Sequence, residues 1–186
     1  MKKIISVAGT VGSGKSTICN ALAEKLGYKC YVMGDIMRKL AKEHNMDIED
    51  FNQYIKDKKE IDNLVDNKMI EIANKEDNLV ISSRTAWHFI PDSFKIYLTI
   101  CDEEAAKRIF YDTERKCEKQ YLNIEEAIEG VNHRNKMEAQ RYMNVYNIDV
   151  NDKNNYDVYL DTTNMSIEEV LDMVVSEYET WLKGKI

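Results

Sequence analysis

The segment Gly9-Thr10-Val11-Gly12-Ser13-Gly14-Lys15-Ser16 spells G-x-x-x-x-G-K-[ST], and its setting narrows what this chain can become. An apolar, β-branched run, Lys3–Ala8, precedes it, and a helical pattern over Ser16–Leu26 follows. Between strand and helix, such a glycine-rich turn aims successive amide hydrogens at one point, and the helix start adds its positive dipole end. That is a cradle for the phosphates of a nucleotide. The expected nucleotide contacts are Gly9, Thr10, Val11, Gly12, Ser13, Gly14, Lys15, Ser16 and Thr17. Lys15 is expected at the β- and γ-phosphates, the Ser16 hydroxyl at Mg²⁺ and Thr17 at the α-phosphate, so ATP and Mg²⁺ are the implied cofactors.

Further apolar runs at Lys29–Met33, Leu79–Ser82, Lys95–Ile100 and Tyr156–Leu160 alternate with helical patterns. Alternation of this kind predicts a phosphate-loop NTPase fold: an open, five-stranded parallel sheet in a three-layer α/β/α arrangement, with ligands beyond the carboxyl ends of the strands. Ser166-Ile167-Glu168-Glu169 reads as a capping box opening a last helix to about Leu182. Two helical stretches are too long for simple crossovers. One runs from Ile36 to about Asn74, broken near His44–Asp47 and Lys56–Glu60; the other runs from Glu103 to about Tyr146. They predict one domain over residues 1–186, with a core of 1–35, 78–110 and 153–186, an acceptor-binding insertion over about 36–77 and a lid over about 111–152.

Composition removes several classes. At 186 residues, 44% hydrophobic and 32% charged, the chain has the make-up of one globular domain and no membrane span. The lysine-led N-terminus has too short an apolar stretch for a signal peptide and reads as a buried first strand. Cys19, Cys30, Cys101 and Cys117 are scattered without a C-x-x-C pair, as in reduced thiols of a cytoplasmic protein. A net charge of −7 disfavours a nucleic-acid polymer as partner. Asn74-Lys75-Glu76-Asp77 spells a guanine-reading motif but precedes a strand, and no glycine has an aspartate three residues earlier. A motor ATPase would end a strand in an acid pair, as Cys101-Asp102-Glu103 imitates; Asp102 is read instead as a helix N-cap.

The chain has only six arginines, Arg38, Arg84, Arg108, Arg115, Arg134 and Arg141, and none in its first 37 or last 45 residues. Arginine's planar fork matches phosphate oxygens, so this clustering predicts an oxyanion site. A small-molecule kinase with an anionic acceptor needs such groups, and a flap that excludes water. Arg38 and Arg84 fall just past the second and third predicted strands, at the sheet edge that holds the phosphate loop.

At this point the residues resemble the nucleoside monophosphate kinases, and within them the archaeal-type cytidylate kinase branch and its bacterial relatives. The resemblance spans essentially the whole chain. It rests on Gly34-Asp35-Ile36-Met37-Arg38, Asp47-Ile48-Glu49-Asp50-Phe51-Asn52, Glu60-Ile61-Asp62 with Asp66, Ser83-Arg84, Gln140-Arg141-Tyr142 with Tyr146-Asn147-Ile148-Asp149, and Tyr156–Thr162. It implies an ATP-dependent kinase of CMP or dCMP; a monomer, with neither membrane nor nucleic-acid polymer as partner, is the expected form. Asp35 would order the Mg²⁺ waters, Arg38 and Arg84 would grip the acceptor phosphate, and Arg134, Glu138 and Arg141 would form a lid triplet that shares one helix face. The outer arginines of that triplet would clamp phosphates during transfer, and Glu138 would accept hydrogen bonds from the acceptor ribose. Asn52, Asp62 and Asp66 would supply the polar groups that read the base.

Two departures stand out. Ser82 occupies a position where many relatives have an acid, so either it polarises a metal-bound water or Asp35 alone supplies the carboxylate. Ala105 stands where some bacterial relatives have a phosphate-binding arginine, which leaves Arg108 as the substitute. Other acceptors, namely AMP, shikimate or dephospho-coenzyme A, would keep the same loop and Asp35 and change the flap. A nucleotide-binding switch without transfer would keep the loop alone.

Overall fold

The computed structural model describes residues 2–56, 58–112 and 119–185. Five parallel strands form one sheet in the order β2-β3-β1-β4-β5, with β1 at Ile4–Gly9, β2 at Lys29–Val32, β3 at Leu79–Ser82, β4 at Phe94–Thr99 and β5 at Val158–Asp161. Every residue of β1 is buried, because it is the middle strand and helices cover both faces. The edge strands β2 and β5 are half-exposed.

Alternate side chains of β1 serve the two faces. Ile5 and Val7 pack with Val80, Ile96 and Leu98 beneath α1 (Lys15–Leu26) and α8 (Ile167–Gly184). Ile4 joins Leu79 and Ile81 beneath α2 (Met33–Glu43) and α4 (Lys59–Lys75). Burying these faces removes apolar surface at about 25 cal/mol per Å². The last helix opens on the expected capping box, in which Ser166 and Glu169 satisfy each other's backbone amides.

The long helical region before β3 is three helices: α2, α3 (Ile48–Tyr54) and α4. The first break closes on Asn45 at φ 55°, and Asp47 then caps α3 by accepting from the amides of Glu49 and Asp50. The second predicted helical region divides into α6 (Asp102–Phe110) and α7 (Ile124–Tyr146), with α5 (Ala86–Phe89) a short turn after β3. Residues 113–118, inside the expected lid and including Arg115 and Cys117, lie outside the described residues.

Several boundaries differ from the sequence reading. Met33 belongs to α2 instead of β2, since burial against Leu79 and Ile81 serves it equally well from a helix. β4 begins at Phe94 and ends at Thr99, and β5 begins at Val158 because 153–155 form a 3-10 turn. Asp102 is the first residue of α6 and not its N-cap; Cys101 holds that place, its amide bonded to Thr163 Oγ1 at 2.9 Å. Cys19 and Cys30, eleven residues apart, are brought by the α1–β2 turn to an Sγ–Sγ distance of 2.7 Å as free thiols, and Cys101 is exposed.

Candidate active site

The residues that follow β1, β2 and β3 converge on one cleft at the carboxyl edge of the sheet. Its lining includes Gly12, Gly14, Lys15 and Ser16 from the phosphate loop, Arg38 from α2, Arg84 from the turn after β3, and Arg134, Glu138 and Arg141 from α7. Asn52 of α3 with Asp62 and Asp66 of α4 complete the far wall.

Two glycines make the loop possible. A Cβ on Gly9, at φ 149°, would stand 2.1 Å from the carbonyl oxygen of Leu98 on the neighbouring strand; one on Gly12, at φ 78°, would meet the Ala105 Cβ at 2.8 Å. No side chain fits either place without moving backbone. The same contact explains why a small residue stands at position 105: it is the floor under the loop. Lys15 Nζ reaches back to the Thr10 carbonyl, and the buried Thr10 Oγ1 has no hydrogen-bond partner. A ring of turned amides suits a polyphosphate. Ser16 lines the cleft, whereas the Asp35 carboxylate is exposed and pairs with Arg38 at 2.8 Å. Among the described residues no three His, Cys, Asp or Glu side chains form a metal cage.

Across the cleft, Arg134, Glu138 and Arg141 share one face of α7, and that face is turned inward. Glu138 accepts from Arg84 Nε through one carboxylate oxygen and from Arg134 Nε, at 2.9 Å, through the other. Burial by itself would push the Glu138 carboxyl up, but the guanidinium groups of Arg84, Arg134 and Arg141 overcome this and hold it well below the usual carboxylate range. Trp87 Nε1 donates to the Arg84 carbonyl at 3.0 Å, which fixes the turn that presents Arg84. Arg141 donates to Asn52 Oδ1 at 2.8 Å and lies 3.5 Å from Asp62, while its guanidinium sits 5.0 Å from the Tyr142 ring centre. Asp66 accepts from Thr85 at 2.6 Å and from Tyr146.

The cleft therefore gathers Val11, Gly12, Gly14, Lys15, Ser16, Arg38, Asp62, Arg84, Arg134, Glu138 and Arg141. Gly9, Thr10 and Ser13 belong to the loop but do not line the cleft, Thr17 is exposed, and Asp35 faces outward. Ser82 is buried in the lining, so the departure from an acid falls at the cleft itself. Arg108 is not among the cleft-lining residues; its guanidinium lies beside Gly14 of the loop and donates to the Thr162 carbonyl at 3.2 Å. Sequence reasoning missed Asn135, whose Oδ1 accepts from the Val11 amide at 2.9 Å and ties α7 to the loop, and Thr85, which holds Asp66. An asparagine inside a charged helix carries no signal of such a long-range role.

Comparison with known proteins places the chain in a family. A family model described as the cytidylate kinase-like family matches residues 4–164. The cytidylate kinase of Thermococcus kodakarensis is 36% identical over 172 residues, 92% of this chain and 85% of that protein. That of Methanocaldococcus jannaschii is 33% identical over 181 residues, 97% and 99% of the two chains. Among solved structures, a shikimate kinase from Acinetobacter baumannii superposes with a TM-score of 0.60 at 16% identity, covering 100% of this chain and 96% of that one. At that identity the likeness is one of fold.

Proposed function

We propose, for a chain that belongs to the cytidylate kinase-like family by its match over residues 4–164, that it is an ATP-dependent nucleoside monophosphate kinase whose acceptor is CMP or dCMP. The observation that carries this reading is the single cleft in which a phosphate loop faces four arginines, Arg38, Arg84, Arg134 and Arg141. One cation set suits a donor polyphosphate; a second, opposite it, suits an acceptor that is itself an anion.

Mg-ATP, when bound, supplies the γ-phosphoryl group and the charge that bridges its phosphates. The loop amides and Lys15 would hold that polyphosphate, and Ser16, which lines the cleft, would ligate the metal. Arg38 and Arg84 hold the acceptor phosphate in line. Arg134 and Arg141, carried on α7, neutralise charge that develops between the two ends. Glu138 keeps Arg84 and Arg134 at fixed separation, so these cations are preorganised and need little rearrangement during transfer. Phosphoryl transfer asks for alignment and charge, not for a protein nucleophile. None is assigned here. Segments 36–77 and 111–152 act as the acceptor flap and the lid, closing over the substrates and excluding water that would otherwise hydrolyse ATP.

Purified protein incubated with Mg-ATP and, separately, CMP, dCMP, UMP, AMP, GMP and shikimate tests the reading. Diphosphate formed from CMP or dCMP at the highest kcat/KM is expected. Binding of ATP without turnover on any acceptor would overturn it in favour of a nucleotide switch.

A further inference from the structure

Cys19 and Cys30 do not line the cleft, yet the fold brings them together from two elements. Cys30 stands on the edge strand β2, partly exposed, and pairs with Val80 of β3 in the sheet register. Cys19 projects from α1 onto the same point. It is fully buried, its thiol lies 3.4 Å from the Val80 carbonyl oxygen, and its Sγ lies 2.7 Å from Cys30 Sγ. The turn that returns the chain from α1 to β2 closes on Gly27, a left-handed C-cap at φ 67°. Around the pair, Ile18, Leu22 and Val80 belong to the core beneath α1, and Cys30 packs against that core. Close packing of this kind leaves the two side chains few other rotamers. A sheet register and a capped helix therefore hold both sulfurs against one residue, Val80, and both are free thiols.

We infer that Cys19 and Cys30 form a redox-active dithiol that a small peroxide converts to a disulfide, with Cys30 as the attacking sulfur and Cys19 as the resolving one. The inference stands apart from the kinase reading and holds whatever the acceptor is. The thiolate is the nucleophilic form. The partly exposed sulfur carries that charge at less cost than the enclosed one, so in the ionised pair the Cys19 thiol donates and Cys30 accepts. This hydrogen bond draws Cys30 below the ordinary thiol range, against burial and the charge of Asp35, while the same bond and burial push Cys19 up. In the first step Cys30 Sγ attacks one oxygen of the peroxide, the O–O bond breaks, and the leaving hydroxide takes a proton to become water, which leaves a sulfenic acid on Cys30. In the second, Cys19 Sγ attacks Cys30 Sγ, and the departing hydroxide carries off the Cys19 proton as a second water. Two thiols have then lost two protons and two electrons, and hydrogen peroxide has become two waters. Cys19 meets only the sulfur beside it, so it resolves the sulfenic acid before a second peroxide can oxidise it further.

The test uses a parent protein carrying Cys101→Ser and Cys117→Ser, in which Cys19 and Cys30 are the remaining cysteines. The folded parent is treated with a small molar excess of hydrogen peroxide, quenched by alkylation and weighed. Its mass is expected to fall by two hydrogens and to be restored by dithiothreitol. Lys25 and Lys29 lie between the two cysteines, so a tryptic digest made without reductant should join the Cys19 and Cys30 peptides only through the new bond. Adding Cys19→Ser should leave a sulfenic acid on Cys30 that dimedone labels, whereas adding Cys30→Ser should leave Cys19 unlabelled. Two thiols that both stay open to alkylation after peroxide overturn the inference. So does a gain of oxygen in the parent without the bond, or a bond that joins two chains. Labelling of Cys19 in the Cys30→Ser protein at a rate equal to that of Cys30 in the other would overturn the assigned order of attack. The parent protein alone decides whether the bond forms, whether or not the further variants fold.

Discussion

The two sides of the cleft are built by opposite strategies. The phosphate loop is contiguous: eight residues, 9–16, from the last residue of β1 into the first turn of α1, whose working groups are mainly backbone amides, held by glycines at φ 149° and 78°. The facing wall is assembled from α2, α3, α4, the turn after β3 and α7, and its working groups are side chains that hold one another. Asn52 and Arg141, which touch at 2.8 Å, are 89 residues apart; Arg84 and Glu138 are 54 apart. A local device can fail in function without disturbing the fold, whereas a distributed one supports the fold and the chemistry together.

Lys15→Ala tests the first half of that contrast and carries the largest expected effect. Loss of transition-state charge stabilisation should lower kcat by several orders of magnitude, while stability measured by urea unfolding changes by no more than about 0.5 kcal/mol. A large loss of stability would show that the loop is not independent of the rest. Near-normal turnover would remove Lys15 from the mechanism.

Glu138→Gln tests the second half. Glu138 is buried and answers two guanidinium groups, so removing its charge leaves Arg84 and Arg134 uncompensated, and unfolding should become easier by about 3 kcal/mol. The sign with pH follows from the depressed Glu138 pKa. Its contribution is complete above the ordinary carboxylate range and is lost as pH falls below that range toward the folded value. Wild-type stability should therefore drop on acidification below about pH 4.5, and the variant should lose less over the same interval. Equal acid sensitivity in both proteins would show that the distributed wall does not depend on this carboxylate.

A smaller effect concerns acceptor binding. Asp62, raised by burial to about 6, faces Arg141 and Glu138 from α7 and Asp66 on its own helix. As pH falls from 7 to 5 the carboxylate gains its proton, and the KM for CMP should rise by up to about tenfold while the KM for ATP moves less. Equal shifts in both would break the separation of the two sides.

Ser166→Ala is the mildest change and serves as a control. It removes one half of the capping box on α8, on the sheet face away from the acceptor wall, at a cost of about 1 kcal/mol. Both KM values should stay within about twofold of the wild type. A selective change in either would mean that the cleft senses the distal layer.

Legibility followed the same division. The loop could be read because its geometry is dictated by residues adjacent in sequence: strand, glycines, lysine, helix. The parallel sheet could be read from alternation, since each buried strand needs a continuous apolar run. Strand ends were less legible, as Met33 shows, because a helix can bury the same side chain against the same neighbours. Arg38, Arg84 and the α7 triplet could be located by scarcity, spacing and resemblance, but their partners could not. Nothing in the order of residues says that Glu138 answers both Arg84 and Arg134, or that Asn135 holds the Val11 amide.

By itself, then, the sequence determined the phosphate loop and the class of fold, because backbone hydrogen bonding and apolar periodicity act over a few residues. The tertiary structure alone decided which buried polar atoms of the facing wall are satisfied and which are not. A buried donor finds its acceptor through packing of whole helices against the sheet, and that packing brings together residues whose separation along the chain carries no local trace.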